Sequence, residues 1–205
     1  MSRDASCRRL ILAVRREPEE FAHKRFLLQS RLLKKGPIVL KEVQLLPEIR
    51  RIYEYHDWAN HNVLDAAGKL TISEQKLELG GSFSTFMETL RHILMVEFLF
   101  IGRWQELPPR QEPEWRTMNQ IRDSWLSIES ERNQFLSDLK ETMLSKMIQY
   151  ADTRGRAVTL ELWQAIFQCV NHSTFHRGQL MEKLRRLGKT PPTTDYVLYA
   201  RGIDK

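Results

Sequence analysis

One segment, residues 83–104, limits the folds that this 205-residue chain can adopt. It follows a break at Gly80-Gly81, and Ser82 stands where a helix N-cap is expected. Its apolar side chains cover most of the circumference of a helix rather than a single stripe: Phe83, Phe86, Met87, Leu90, Leu94, Met95, Phe98, Leu99 and Ile101. A helix of this kind has to be surrounded by other elements. We therefore expect it at the centre of a helical bundle.

Three further segments have the period of amphipathic helices and are the predicted partners of the central one. They cover approximately residues 47–68, 115–144 and 160–187. Between the last two, residues 147–150 and 157–159 read as short strands around an Asp-Thr-Arg-Gly turn. The predicted fold is therefore all-α, a four-helix bundle with a small β-hairpin insert before the last helix. We expect the tail, residues 191–199, to pack back on the bundle.

The net positive charge of the chain comes entirely from its first 45 residues. The net charge is +6, and residues 1–45 hold eleven Lys or Arg against five Asp or Glu, so that residues 46–205 are balanced. A balanced main domain offers no broad basic surface for phosphates, which argues against nucleic-acid binding there. We expect residues 1–45 to be a basic extension and residues 46–205 to be the functional domain. The extension is interpreted as a disordered tail, a start-site artefact, or an arm for nucleic acid or a membrane surface.

Neither a membrane span nor an export signal is recognisable. No apolar run approaches the roughly 18 residues that cross a bilayer, and the short run at residues 10–14 lacks a cleavage site. The two cysteines, Cys7 and Cys169, lie far apart and form no metal-binding spacing. We expect free thiols in the cytoplasm, with Cys169 as a small core residue.

Three of the six histidines form a candidate metal site. His172 and His176 stand at positions i and i+4 of the last predicted helix, so both rings project from one face. His92 lies in the most apolar helix, where an unpaired imidazole would be costly, and it is the expected third ligand. The alternative for the pair is a satisfied core histidine and a surface one. His56 and His61 have polar neighbours and are expected in solvent.

Two better-known metal motifs are absent from this set. Zinc peptidases have a glutamate beside the first histidine, but Ser173 occupies that place. Di-iron bundles need two Glu-x-x-His motifs; the one such motif in the sequence begins at Glu20, in the extension. No separate nucleophile or general base stands out, so any catalytic function would depend on the metal centre itself.

Several neighbours of the histidines have two interpretations each. Glu88, one turn before His92, is either a carboxylate bonded to that ring or an exposed helix charge. Glu97 is expected at the surface or in an inter-helix pair. Arg177 and Gln179 could orient a substrate or a dimer partner. Alternatively, this segment has a structural role, in which Gly178 allows close helix packing and Arg177 anchors the tail. Three tryptophans are expected in the core or an interface: Trp58, Trp104 and Trp163.

The motifs YEYHDWANHNVL, FSTFMETLRHILMVEFLFIGRW and NHSTFHRGQ, followed by G-x-x-P-P-x-x-D from Gly188, resemble the DinB family of the DinB/YfiT superfamily. The likeness covers approximately residues 46–200. It implies a four-helix bundle, commonly a homodimer, in which His92, His172 and His176 bind one divalent ion. Zinc or nickel is the expected metal, with iron or cobalt as alternatives. The family usually has asparagine where His56 stands.

The resemblance also implies a function. In relatives of the superfamily the metal supports the transfer of low-molecular-weight thiols, such as bacillithiol, mycothiol or glutathione, onto electrophiles. We therefore expect a metal-dependent transferase or hydrolase acting on a small molecule in stress or detoxification. The alternatives are a non-catalytic metal-binding, damage-inducible protein and, from the basic tail alone, a DNA-associated repair factor.

Overall fold

The computed structural model describes residues 44–152 and 154–202. Within these ranges the chain forms helices α1 (Leu45–Gly68), α2 (Ile72–Lys76), α3 (Phe86–Trp104) and α4 (Met118–Asp138), a 3-10 turn (Glu141–Met143), strands β1 (Met147–Ala151) and β2 (Ala157–Glu161), and helices α5 (Leu162–Arg186) and α6 (Tyr196–Ala200). Predictions for residues 1–43, including the thiol of Cys7 and nearly all of the basic extension, lie outside the described residues. No helix in the described ranges is long and apolar enough to cross a membrane.

The predicted four-helix bundle is confirmed, and α3 is its central helix. Leu90, Ile93, Leu94 and Ile101 of α3 are completely buried. α3 packs chiefly on α5 and also on α4, while α1 packs on α4 and α5. The hairpin precedes α5 as predicted, with β1 antiparallel to β2. Because α3 and α5 are the closest pair, residues that face each other across their interface can form a common site.

Two helices begin later than predicted, because stronger capping sequences lie downstream. Thr85 rather than Ser82 caps α3: its hydroxyl accepts the Glu88 N–H, and the Glu88 carboxylate accepts the Thr85 N–H. Thr117 and Gln120 form the same reciprocal box at the start of α4. Each box satisfies two helix-terminal groups at once, which a lone serine cannot do.

The third long helix is also shorter than the predicted range of residues 115–144. Trp115 is buried in the loop before α4, and Leu139 turns the chain into an extended conformation after Asp138. The short helix α2 was not predicted, although Thr71 and Glu74 cap it with a further box. The differences in the long helices affect only their ends, and the order of the four long helices and the hairpin is as predicted.

The tail packs on the body as predicted. Tyr196 and Tyr199 of α6 place their rings 5.1 and 5.7 Å from the ring of Tyr55 on α1. The Tyr55 hydroxyl donates a hydrogen bond to the Thr194 carbonyl, at 2.9 Å. Aromatic contacts and one backbone hydrogen bond therefore hold the C-terminal segment against α1.

A buried ion pair connects three of the long helices. Arg132 of α4 donates to Glu97 of α3 at 2.5 Å, and to Asp57 of α1. The side chains of Arg132 and Glu97 are 0% and 1% exposed. Removing one partner of such a pair leaves an uncompensated charge inside the protein, which costs more than the pair itself contributes.

We predict that Arg132→Met lowers the free energy of unfolding by about 3 kcal/mol or more, because Glu97 and Asp57 lose their counter-charge. Urea denaturation followed by circular dichroism measures the change. Arg116→Met is the matched control, since Arg116 pairs with Glu114 on the surface, and there we expect a change within about 0.5 kcal/mol. Equal stability of the two variants would contradict a structural role for the buried pair.

Candidate metal centre

Three imidazoles meet between α3 and α5. His92 comes from α3, and His172 and His176 come from adjacent turns of α5. The Nε2 atom of His172 lies 3.1 Å from the Nε2 atoms of both His92 and His176. One nitrogen from each ring lies within 4.8 Å of the other two. The structure thus brings together the three histidines that the sequence singled out.

The spacing of these nitrogens fits a small divalent cation. Two imidazole nitrogens bound to one tetrahedral zinc ion at 2.0–2.1 Å would be about 3.3 Å apart. The observed separations of 3.1 Å are close to that value. Nitrogen lone pairs that converge in this way repel one another unless a proton or a cation lies between them. The arrangement can therefore hold a metal ion.

Gln179 fixes the orientation of one of the rings. Its Oε1 lies 2.8 Å from Nδ1 of His176, and an amide oxygen can only accept a hydrogen bond. The proton of His176 is therefore on Nδ1, so that Nε2 presents its lone pair to the other two rings. A partner of this kind sets the tautomer and direction of a metal-binding histidine. The sequence singled out Gln179, either for orienting a substrate or dimer partner or as part of a packed helix, but not as a partner of His176.

Two of the rings are held in the form that a metal requires. Burial, together with the neighbouring His176, lowers the pKa of His92 to about 4. Burial and the two other imidazoles lower the pKa of His172 to about 4 as well. Metal ligands must be neutral imidazoles, and both rings are neutral at neutral pH. The Nδ1 of His172 is buried and has no hydrogen-bond partner among the described residues.

Phe83 forms an apolar wall beside the centre. Its ring stacks on His92 at 4.2 Å and meets the edge of His176 at 5.7 Å. It belongs to the loop before α3, not to the helix itself. Lys183 of α5 donates to the carbonyls of Gly80 and Phe83, at 2.6 and 2.8 Å. The lysine thereby holds the loop and its phenyl ring against the histidines.

The interpretation of the Glu88 carboxylate as a hydrogen-bond partner of His92 is wrong. Its Oε2 accepts the N–H of Thr85 and the hydroxyl of Ser84, at 2.9 and 3.0 Å. Within the described chain it forms no hydrogen bond to His92. A carboxylate in the first turn of a helix is favoured there by the N-terminal dipole, which explains its use as a cap.

His56 was expected in solvent, and this prediction is wrong. The residue is completely buried, with Nε2 2.7 Å from Glu97 Oε1 and Nδ1 3.2 Å from Arg177 Nη1. Its neighbour Asn60, which made the segment look exposed, is itself buried and accepts from Arg177 at 2.9 Å. His61 does lie near the surface, where it pairs with Glu129 at 2.7 Å.

Arg177 determines the protonation of His56. A guanidinium can only donate hydrogen bonds, so Nδ1 of His56 must accept and Nε2 carries the proton that is donated to Glu97. Burial lowers the pKa of His56 to about 4, although Glu97 acts in the opposite direction. Burial raises the pKa of Glu97, but His56 and Arg132 outweigh it and lower the pKa to about 2. The histidine is therefore neutral and the glutamate ionised.

One of the two interpretations of Arg177, that it anchors the tail, is wrong, and so is the expectation that Gly178 allows close packing. Arg177 is buried and donates to Asn60 and to Thr174, the latter at 2.7 Å, rather than anchoring the tail. A Cβ added at Gly178 would meet no described atom within 4 Å, so this glycine does not serve close packing. Glu97 forms an inter-helix ion pair, which is one of the two roles expected for it. Among the tryptophans, Trp104 is in the core as expected.

A layer of buried charge thus lies next to the candidate centre. It consists of His56, Asn60, Glu97, Arg132 and Arg177, from all four long helices. Arg177 directly follows His176 in α5, so the layer and the centre share that helix. In the sequence, this layer was indicated only by the carboxylate of Glu97 on the most apolar helix, because a buried charge requires a partner.

We predict opposite pH effects for the two histidines of α1. The lowered pKa of His56 means that the fold favours its neutral form, so its stabilising contribution is complete above about pH 6.5 and is lost as the pH falls toward 4. The hydrogen bond to Glu129 raises the pKa of His61, so its contribution is present in acid and is lost as the pH rises.

Urea denaturation of the wild type, His56→Gln and His61→Gln between pH 4.5 and 8 measures these contributions. The stability difference between wild type and His56→Gln should shrink on acidification, whereas the difference for His61→Gln should grow. The same trend for both variants would contradict the neutral, buried state of His56.

Comparison with known proteins places the chain in a family. The family model described as DinB family matches residues 42–204. Protein DinB of Bacillus subtilis (strain 168) is 25% identical over 161 residues, which cover 73% of this chain and 91% of that protein.

Solved structures with the same fold include two DinB-like proteins. The protein from Bacillus cereus ATCC 10987 has a TM-score of 0.57 at 17% identity and covers 71% of this chain and 94% of its own. The protein from Bacillus subtilis has a TM-score of 0.52 at 18% identity, with coverage of 70% and 95%. At these identities the two structures support the fold alone, whereas the match to the family model supports membership of the family. The chain belongs to the DinB family.

Proposed function

We propose that this chain is a metal-dependent transferase or hydrolase acting on a small molecule, with one divalent ion, zinc or nickel, held by His92, His172 and His176. The observation that carries the proposal is the convergence of three Nε2 atoms, two of them 3.1 Å from the third. Gln179 supports it by directing the lone pair of His176 toward the other rings. A resident ion would lower the pKa of a thiol or water in contact with it.

The donor set favours catalysis over a purely structural ion. A closed zinc site has four protein ligands, whereas catalytic sites have three and an open position. Two nearby carboxylates that would complete a closed site have other partners. Glu88 caps α3, and Glu97 is bonded to His56 and Arg132. Three neutral ligands also leave the full positive charge on the ion.

A thiol used in the reaction would come from a co-substrate. Cys169, the one cysteine in the described ranges, is completely buried, and burial raises the pKa of its thiol far above the usual range. A thiol in that state is a poor nucleophile. We therefore propose a low-molecular-weight thiol as the second substrate, in agreement with the transfer reactions that the family resemblance implies.

The rival function is a metal-binding, damage-inducible protein without catalysis. The ion would then stabilise the contact between α3 and α5, the most extensive helix contact in the described chain. The two functions share the ligands but differ in turnover, so one set of variants distinguishes them.

We predict one bound divalent ion per chain in the wild type and a loss of at least tenfold in metal affinity for His92→Ala and for His176→Ala, because each removes a ligand. Gln179→Leu should weaken binding by about 10- to 100-fold, since the ring of His176 loses its orienting partner. His61→Ala is the control and should bind metal normally. Elemental analysis and competition with a chromophoric chelator measure these changes.

Activity is measured on the same variants with bacillithiol, mycothiol and glutathione against a panel of small electrophiles. Metal-dependent turnover that disappears in His92→Ala and persists in His61→Ala supports the enzyme. Stoichiometric metal that raises stability, without turnover on the panel, favours the structural ion. A wild type that binds no divalent ion would contradict both functions.

We also propose a homodimer located in the cytoplasm. Phe167 and Phe175, two turns apart on α5, are 56% and 64% exposed, and large exposed apolar side chains on one helix favour association with another surface. Sedimentation analysis of the full chain should give twice the monomer mass. The double variant Phe167→Lys/Phe175→Lys should shift the equilibrium to the monomer, and an unchanged mass would contradict this surface as the interface.

A further inference from the structure

We propose that the cleft beside His92 selects substrates that carry a carboxylate, with Arg91 as the residue that binds it. The proposal rests on the metal-dependent function above and names the chemical class of its substrate. The cleft lies between the start of α3 and the loop before α4, and its volume is about 480 Å³. Cavities of this size accommodate a small organic molecule.

The walls of the cleft are mostly apolar. Phe83, Met95 and Trp115 line it, and His92 forms part of the same surface. A molecule bound there therefore contacts both the apolar walls and the candidate centre. Flat apolar walls favour a substrate with an aromatic or aliphatic body.

Four charged side chains also line the cleft, and three of them have other partners. Glu114 and Arg116 form an ion pair with each other at the surface. Glu88 accepts two hydrogen bonds that cap α3, from Thr85 and from Ser84. Arg116 offsets the charge of Glu114. The carboxylate of Glu88 remains charged, stabilised by its two hydrogen bonds and by the N-terminal dipole of α3, and it also interacts electrostatically with Arg91.

Arg91 is the fourth charge, and most of its donors are unused. No carboxylate oxygen of the described residues lies within 4.0 Å of its guanidinium. Its hydrogen bond goes to the Trp115 carbonyl, at the long distance of 3.4 Å. A guanidinium has five N–H donors in a planar fork that matches a carboxylate. A cation with unused donors in an open, largely apolar cleft favours an anionic ligand.

The positions of Arg91 and His92 suit a single ligand. Adjacent residues of a helix project about 100° apart, and both side chains line the same cleft. A molecule whose carboxylate contacts Arg91 can therefore extend along the apolar wall toward His92. Arg91 would fix one end of the substrate and so act as a specificity-determining residue.

The test compares two probes that differ only in charge, 4-phenylbutyrate and 4-phenylbutyramide. Because a carboxylate can bind zinc directly, the dissociation constants are measured first on metal-free full-length protein, by NMR chemical-shift titration, and then on zinc-loaded protein. We expect the carboxylate to bind about fivefold tighter than the amide to the metal-free wild type, the range of a partly exposed ion pair.

Two variants test whether Arg91 causes the preference for the carboxylate. Arg91→Gln should remove the preference for the carboxylate while leaving the affinity for the amide unchanged, which excludes loss of the fold. Arg103→Gln is the matched control, because that guanidinium stacks on Tyr150 in a different cleft, 4.2 Å from the ring centroid. It should retain the wild-type preference.

Equal affinity of the two probes for the metal-free wild type, or a preference that survives in Arg91→Gln, would overturn the proposal. Zinc content measured on the same samples separates it from the proposed function. Normal zinc binding without an Arg91-dependent preference overturns the carboxylate site alone. An Arg91-dependent preference in a protein that binds no divalent ion supports the site and overturns the metal-dependent function.

Discussion

The buried carboxylate of Glu97 constrains the rest of the bundle. It lies on the most apolar helix, where an isolated charge would be very costly, and every neighbouring long helix contributes a side chain to the polar layer around it. Arg132 of α4 and His56 of α1 bond it directly, and Arg177 of α5 completes the layer through His56. These bonds restrict the rotation of α3 and α5 about their axes. The same rotations direct His92 toward His172, so the candidate centre depends on the charged layer.

Two kinds of electrostatic environment therefore lie side by side. In the charged layer Arg132 is the counter-ion of Glu97, and the pKa of Glu97 falls to about 2. Arg177 is held there by hydrogen bonds to neutral acceptors, His56, Asn60 and Thr174. At the candidate centre there is no paired charge, and the pKa values of His92 and His172 fall to about 4. The first environment is stabilised by hydrogen bonds and an ion pair within the protein. The second consists of three imidazole nitrogens close to one another, an arrangement that a bound cation would stabilise.

The sequence predicted the parts of this structure that depend on local pattern. Helical periodicity indicated the bundle, and the spacing of His172 and His176 indicated the pair, because both are properties of one continuous segment. His56 was misjudged because its burial depends on Glu97 and Arg177, which are distant in sequence. Gln179 is one turn from His176, so the spacing was visible, but only the geometry shows which nitrogen it contacts.

The surroundings of the centre differ on its two sides, and this difference favours a reaction between two bound molecules. One side is the charged layer, closed by packing of all four long helices. The other is the cleft with Phe83, which Lys183 holds in place through backbone carbonyls. Cys169 is buried and its thiol pKa is raised far above the usual range, so residues 44–152 and 154–202 offer no thiolate there. A nucleophile and an electrophile that both entered from the cleft would have to meet over the same face of His92.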